Sequence, residues 1–254
     1  MASIQDTPVR VLDEDPDLAA ALPADEQSAA ARAAVARTYL LGTGDWTPPT
    51  AWAGSASTLG LLVLDGLVMR SLELGDRCST ELLGDGDLLR PWQRDTEEAL
   101  LACSVHWRVL EPTRIAVLDA RFAVATAPWP QVGAAIVGRA LRRSRSQGVL
   151  AAISHVNRVD DRLVLAFWYF AERWGRVGPE GVAVRLPLTH EQLGAMVGAR
   201  RPSVTTALSS LAARDILVPR RRGEWVLTPA ARQRMGGLPE AARGGAPEAP
   251  RLAA

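Results

Sequence analysis

The chain has 254 residues, a formal net charge of +1 and two cysteines. That length allows one large domain or two ordinary ones, and near-neutrality excludes a global field that would draw a polyanion to the whole surface. Two cysteines exclude a disulfide framework. With no basic-then-apolar leader and no apolar run near the ~18 residues of a membrane helix, the sequence reads as soluble and cytoplasmic.

The charge is unevenly spread. Residues 1–27 carry seven acids against Arg10, whereas residues 157–235 carry thirteen arginines against seven acids. A basic C-terminal third points to a polyanionic partner for that part alone. All 29 basic residues are arginine. With abundant alanine this reads as coding bias, although arginine still brings bidentate geometry to phosphate or guanine.

Residues 1–50 are Ala-, Asp- and Pro-rich, with a helix-friendly stretch over Ala19–Leu41 and a break at Gly42–Pro49. From Leu59 to about Asp119 the texture is that of short strands split by turns. Gly66 interrupts one apolar run as a hairpin point, Gly75-Asp76 and Gly84–Asp87 mark turns, and Glu111-Pro112 separates His106–Leu110 from Arg114–Leu118. Several short strands so spaced read as a small antiparallel barrel or sandwich. Pro130 opens a long helical stretch with apolar residues at Val132, Ala135, Ile136 and Ala140, which suits surface packing or a dimer seam. Asp160 and Asp161 are candidate caps for a helix over Arg162–Trp174. Gly175–Gly181 reads as a loop and Val182–Leu186 as a strand. The tail, 236–254, has the composition of a disordered segment.

The strongest pattern is Leu188–Leu217, LTHEQLGAMVGARRPSVTTALSSLAARDIL. Thr189 with Gln192 makes a capping box, Gly198 a tight turn, and a second helix begins near Arg201, where Pro202 is tolerable only in the first turn. Leu193, Met196 and Val197 face inward from the first helix; Val204, Leu208 and Leu211 from the second. Arg200, Arg201, Ser203, Thr205, Thr206 and Ser209 take the remaining faces. An α-helix fits the major groove, arginine pairs bidentately with guanine, and hydroxyls take phosphates or base edges. Arg220, Arg221 and Arg222 lie at a hairpin tip after the second helix, where a wing reaches backbone phosphates.

These residues resemble the DNA-binding domain of the Crp/Fnr family, the cyclic-AMP receptor protein and its relatives. The run L-T-H-E-Q-L-G-x-x-V-G-A-R-R-P-S-V-T-T-A-L-S-S-L carries the resemblance, and the order of barrel, long helix and winged helix extends it over about residues 55–235. The resemblance implies an α+β chain with a cyclic-nucleotide-binding-like β-barrel (jelly roll) over 51–128, a dimerisation helix over 129–156 and a winged helix-turn-helix over 157–235; residues 1–50, ahead of it, read from their composition as a helical or irregular lead. It implies a homodimer on a two-fold-symmetric operator, with double-stranded DNA and RNA polymerase as partners. Arg201 falls on the family's guanine-reading arginine and Ser203 on its phosphate-contacting hydroxyl. Thr189, Arg200, Thr205, Thr206 and the three wing arginines complete the expected DNA-binding set. Pro202 and Thr206 replace a Glu and a second Arg found in many members, so the family's best-known operator is not carried over.

In members that bind cyclic nucleotides, a Gly-Asp/Glu turn enters a cassette whose Glu takes the ribose hydroxyl and whose Arg takes the phosphate. Here LGDGDLL keeps the turn, but RPWQRDTEEALLACSVHWRVL lacks both motifs. The ligand-pocket candidates are therefore Leu88, Leu89, Arg90, Trp92 and Arg94, with cyclic AMP not expected and the effector unassigned. An iron–sulfur centre needs about four ligands, which two cysteines do not supply. Cys103 and His106 have C-x-x-H spacing, but alternation in a strand sends them to opposite faces. The eight tryptophans read as packing, with an aromatic-lined pocket as the alternative. No nucleophile–base pair, phosphate loop or His-rich metal pattern points to an enzyme, and no cofactor is called for. Two other readings stay open: DNA binding gated by a cyclic nucleotide or another small molecule, and a ligand-binding protein whose winged helix meets only protein.

Overall fold

The computed structural model describes residues 3–49, 52, 58–92 and 103–236, and the chain divides into two compact units, residues 1–149 and 150–254. Arg94 and all residues beyond Gly236 lie outside the described residues.

In chain order the first unit contains β1 (Ser3–Arg10), α1 (Val11–Glu14), α2 (Ala24–Ala33), β2 (Val35–Leu41), β3 (Gly44–Trp46), β4 (Gly60–Leu74), β5 (Arg77–Leu83), β6 (Leu88–Leu89), β7 (Ser104–Leu118) and α3 (Ala120–Thr126). α4 follows over Pro130–Ser154. The seven strands form one antiparallel sheet in the order β1-β2-β7-β4-β5, with β3 also on β7 and β6 on β4. Along this path the described strands do not close on themselves. Residues 1–50 are thus more than a helical lead, since they place three strands in the sheet.

Two expected turns are absent because two long strands absorb them. Gly66 is not a hairpin point: β4 runs through it, and the register against β7 shifts between Val63 and Val68. Glu111-Pro112 is not a turn either, since it lies inside β7 opposite that shift. Proline has no N–H for a ladder and enters strands only at edges or bulges. Gly66 has φ +105°, and a Cβ there would stand 2.5 Å from the Pro112 carbonyl oxygen. Only glycine lets the strands approach so closely.

The sheet's two faces build two apolar clusters. One joins Leu62, Leu88, Ala116 and Leu118 to Val11, Leu18 and Ala30, to Phe122 and to Val132 and Ile136 of α4. The other holds Leu41, Leu61, Val63, Val68, Leu83, Leu89, Trp107, Val109 and Ile115. α4 is also tied by charge. Arg139, buried, donates two bonds to Asp15 at 2.6 and 2.8 Å. Arg143 donates to both oxygens of buried Glu81 at 2.8 and 2.9 Å. Burial pushes the Asp15 carboxyl above its ordinary range although Arg139 pulls the other way; such a pair fixes geometry more than it adds stability.

The second unit contains α5 (Val159–Trp174), β8 (Arg176–Gly178), β9 (Gly181–Arg185), α6 (His190–Val197), α7 (Arg201–Ala213), β10 (Leu217–Pro219), β11 (Glu224–Leu227) and α8 (Pro229–Gly236). Its sheet runs β10-β11-β9-β8, so the expected Gly175–Gly181 loop contributes a short strand. Leu163, Val164, Phe167 and Phe170 of α5 are fully buried, as are Leu193 and Val197 of α6 and Val204 and Leu211 of α7. Asp160 and Asp161 do not cap α5. The N-cap is Arg158, and both aspartates sit in the first turn, where negative charge suits the helix dipole.

Candidate nucleic-acid interface

α6 begins on a complete capping box. Thr189 Oγ1 accepts from the Gln192 N–H at 3.2 Å, and Gln192 Oε1 accepts from the Thr189 N–H at 2.8 Å. It ends at Gly198, φ +65°, the left-handed conformation glycine adopts without strain. Gly194 permits the fold-back: a Cβ there would stand 2.4 Å from the Ala199 carbonyl oxygen. Sequence reasoning passed over Gly194 because its demand comes from a contact five residues on.

α7 starts at Arg201, with Arg200 as N-cap in extended conformation and Pro202 in the first turn. Val204, Ala207, Leu208 and Leu211 are buried, leaving Arg200, Arg201, Ser203, Thr205, Thr206 and Ser209 exposed. Among the described residues neither Arg200 nor Arg201 enters an ion pair with an acid. A helix start with two guanidiniums, small hydroxyls and unsatisfied N–H groups can meet phosphates and base edges together.

The hairpin β10–β11 pairs Leu217 with Leu227 and Pro219 with Trp225 around a 3-10 turn at Arg221–Gly223. Arg221 is exposed at the tip; Arg220 donates to Glu180 at 2.7 Å; the side chain of Arg222 lies outside the described residues. The expected residues therefore fall on three neighbouring elements of one unit: the start of α6, the start of α7 and the β10–β11 tip.

Two side chains organise this unit in roles the sequence did not assign them. Arg162 of α5 donates from Nε to the Val156 carbonyl at 2.5 Å and from Nη1 to the carbonyls of Val197 at 3.2 Å and Gly198 at 2.8 Å. It thereby satisfies the C-terminal end of α6. Asp160 accepts from Arg158 at 3.2 Å, Arg214 at 3.1 Å and Arg234 at 2.9 Å, and Arg234 also pairs with Asp161. Burial alone would raise the Asp160 carboxyl, but the bonds from Arg158 and Arg214 and the charge of Arg234 hold it below its ordinary range. The sequence marked Asp160 only as a candidate cap, and the excess of arginine does not say which acids those arginines meet.

Of the ligand-pocket candidates of the first unit, the four that are described do not converge. Leu88 and Leu89 are adjacent in β6 and point to opposite faces, one into each apolar cluster. Arg90 is exposed, and Trp92 is half-buried against the second cluster. The Gly84–Asp87 turn has a structural use. Asp87 accepts from the Gly84 N–H at 2.9 Å, and a Cβ on Gly86, φ +75°, would stand 2.6 Å from Arg139 Nη1. The turn leaves room for the Arg139–Asp15 pair. Burial, with the nearby Asp65 charge, pushes the Asp85 carboxyl in this turn above its ordinary range.

The tryptophans pack as aromatic neighbours. Trp46 meets Trp107 edge-on at 5.9 Å and Trp52 at 6.2 Å, and Trp52 meets Tyr39 at 4.8 Å. Trp129 packs on the other cluster, Trp174 stacks on Phe170, and Trp225 lies against Phe167. Cys103 and His106 are both exposed, and His106 lies 3.6 Å from Glu73. Among the described residues no three His, Cys, Asp or Glu side chains stand together as a metal site. No described helix is long and apolar enough to cross a membrane.

Comparison with known proteins agrees with this geometry. Residues 158–231 match the Crp-like helix-turn-helix domain. No curated protein matches the chain. Among solved structures, a CooA mutant from Carboxydothermus hydrogenoformans is 18% identical, covering 91% of this chain and 96% of its own, with a TM-score of 0.59. FixK2 from Bradyrhizobium japonicum is 17% identical over 80% of this chain and 96% of its own, with a TM-score of 0.58. A CRP-family transcriptional regulator from Thermus thermophilus is 20% identical over 83% and 98%, with a TM-score of 0.55. At these identities the likeness is one of fold, and the family model adds that residues 158–231 form a Crp-like helix-turn-helix domain, which supports a DNA-binding transcriptional regulator.

Proposed function

We propose that the chain acts in the cytoplasm as a homodimer on a two-fold-symmetric DNA site, reads it through the start of α7, and does so without cyclic AMP. The observation that carries this is the exposed start of α7, where Arg200 and Arg201 have no acid partner among the described residues. Arg201 reads a guanine. Ser203, Thr206 and Thr189 contact phosphates or groove edges, and Arg221 meets the backbone.

α4 supports the dimer. Beyond its buried face it exposes Ala134, Val137, Gly138, Leu141 and Gly148, with Val137 58% and Leu141 67% accessible. That is an apolar and small-residue stripe at helical spacing, as a close-packed helix pair uses. Independence from cyclic AMP is supported by two cations of the first unit, because buried Arg139 and half-buried Arg143 are committed to Asp15 and Glu81. The chain is read as a regulator and not as an enzyme; RNA polymerase is a proposed partner.

One selection experiment tests this. Duplexes enriched from a random pool should be inverted repeats, with half-sites about one helical turn apart. Enrichment should be the same with and without cyclic AMP. Arg201→Ala should relax preference at one base pair per half-site, by about 1–3 kcal/mol. Enrichment only with cyclic AMP, or unchanged discrimination in Arg201→Ala, would overturn the corresponding part. Failure to enrich any sequence favours a winged helix that meets protein instead.

A further inference from the structure

Thr205 has one hydroxyl proton and two partners. Its Oγ1 lies 3.0 Å from the Arg201 carbonyl oxygen, one turn earlier in α7, and 2.8 Å from Nδ1 of His190. The carbonyl can only accept, so the hydroxyl proton goes there and the imidazole must donate from Nδ1. Both bonds are made together in this arrangement alone. The neutral ring is thereby held with its proton on Nδ1 and a bare lone pair on Nε2. A second proton can only enter at Nε2.

His190 is the first residue of α6, next to the Thr189 cap, and its bond to Thr205 is exposed on the surface of α7 that also carries Arg201. When a helix-turn-helix docks, its first helix crosses the backbone while the second enters the groove. A bare Nε2 facing a phosphate oxygen sets acceptor against acceptor. A protonated Nε2 makes a charge-assisted bond to the same oxygen.

We propose that His190 is a pH-gated contact to a DNA phosphate, its outward nitrogen set by Thr205. This rests on the DNA-binding reading above. The other charged groups on α6 and on the helices packed against it are few. α6 carries Glu191, and α7 carries Arg201 with Arg200 and Arg214 at its ends. α5 carries Asp160, Asp161, Arg162, Glu172 and Arg173. Of these, the two aspartates are engaged by Arg158, Arg214 and Arg234, and Arg162 is held at the far end of α6. A charge-assisted bond from Nε2 to a phosphate couples DNA binding to the uptake of a proton by the ring, so affinity rises as the pH falls.

The test uses the full chain and a duplex enriched by the chain itself, at one fixed salt concentration, with binding measured near about pH 6 and about pH 8. Wild type should bind about ten-fold more tightly at the lower pH. His190→Gln should lose most of that ratio. In Thr205→Val the neutral ring is free to move its proton to Nε2 and donate at either pH, so the ratio should shrink through tighter binding at the higher pH. A His190→Gln ratio equal to that of wild type overturns the proposal while the DNA reading stands, and a wild-type ratio in Thr205→Val overturns the tautomer lock. If no duplex is enriched, the DNA reading falls and this proposal with it.

Discussion

Removing the Arg162 guanidinium should loosen α6 and the turn after it. Arg162→Met keeps the stem and its packing but deletes bonds to the carbonyls of Val156, Val197 and Gly198. Two of these belong to the C-terminal end of α6, where the carbonyls have no intrahelical partner. A bond from a charged donor is worth about 1.5 kcal/mol net, and three that share one group and are partly exposed sum to about 3 kcal/mol at most. In hydrogen–deuterium exchange on the full chain, that is a loss of protection of about a hundred-fold in peptides covering α6. Arg162→Lys, a point charge without the fork, should fall between the two. If α6 in Arg162→Met exchanges within about two-fold of wild type, the guanidinium does not hold the turn and the reasoning fails.

Two further outcomes follow from the geometry. Gly66→Ala places a Cβ 2.5 Å from the Pro112 carbonyl oxygen at φ +105°, whereas Gly75→Ala, at φ +61°, meets nothing within 4 Å. The first should cost about 3 kcal/mol or more and the second about 1 kcal/mol, read as shifts in urea midpoint; equal shifts would refute the bulge as the reason for Gly66. Asp160 is depressed in the folded state, so its contribution is present above the ordinary carboxylate range and is lost as the pH falls through its lower folded value. The second unit should lose stability on acidification below about pH 4, and Asp160→Asn should start about 3 kcal/mol weaker with less of that acid response. An acid response unchanged in Asp160→Asn would locate the lost stability elsewhere.

The second unit was legible because its signals are local. A capping box, a left-handed glycine and a first-turn proline each act within about four residues, and they sit at Thr189–Gln192, Gly198 and Pro202. The first unit was legible in kind but not in detail. Gly66 and Glu111-Pro112 carry the composition of turns, yet each is explained by the other, across two strands. Val35–Leu41 lies within an alanine-rich, helix-friendly stretch, and its strand state comes from pairing with β1 and β7. Propensity yields there to tertiary context.

The arginines show why function was harder to read than fold. With no lysine in the chain, residue type does not separate a cation that holds the structure from one that meets DNA; partners do. Arg139 reaches Asp15 across 124 residues and Arg143 reaches Glu81 across 62, while Arg158, Arg214 and Arg234 converge on Asp160. The basic excess of residues 157–235 is therefore not a uniform patch. Part of it is neutralised at the start of α5, and Arg220 is spent on Glu180. What remains without an acid among the described residues includes Arg200, Arg201 and Arg221, at the helix start and wing tip that a groove and its flanking phosphates would meet. The salt dependence of DNA binding should accordingly reflect these few cations, not the thirteen arginines that sequence counting offers.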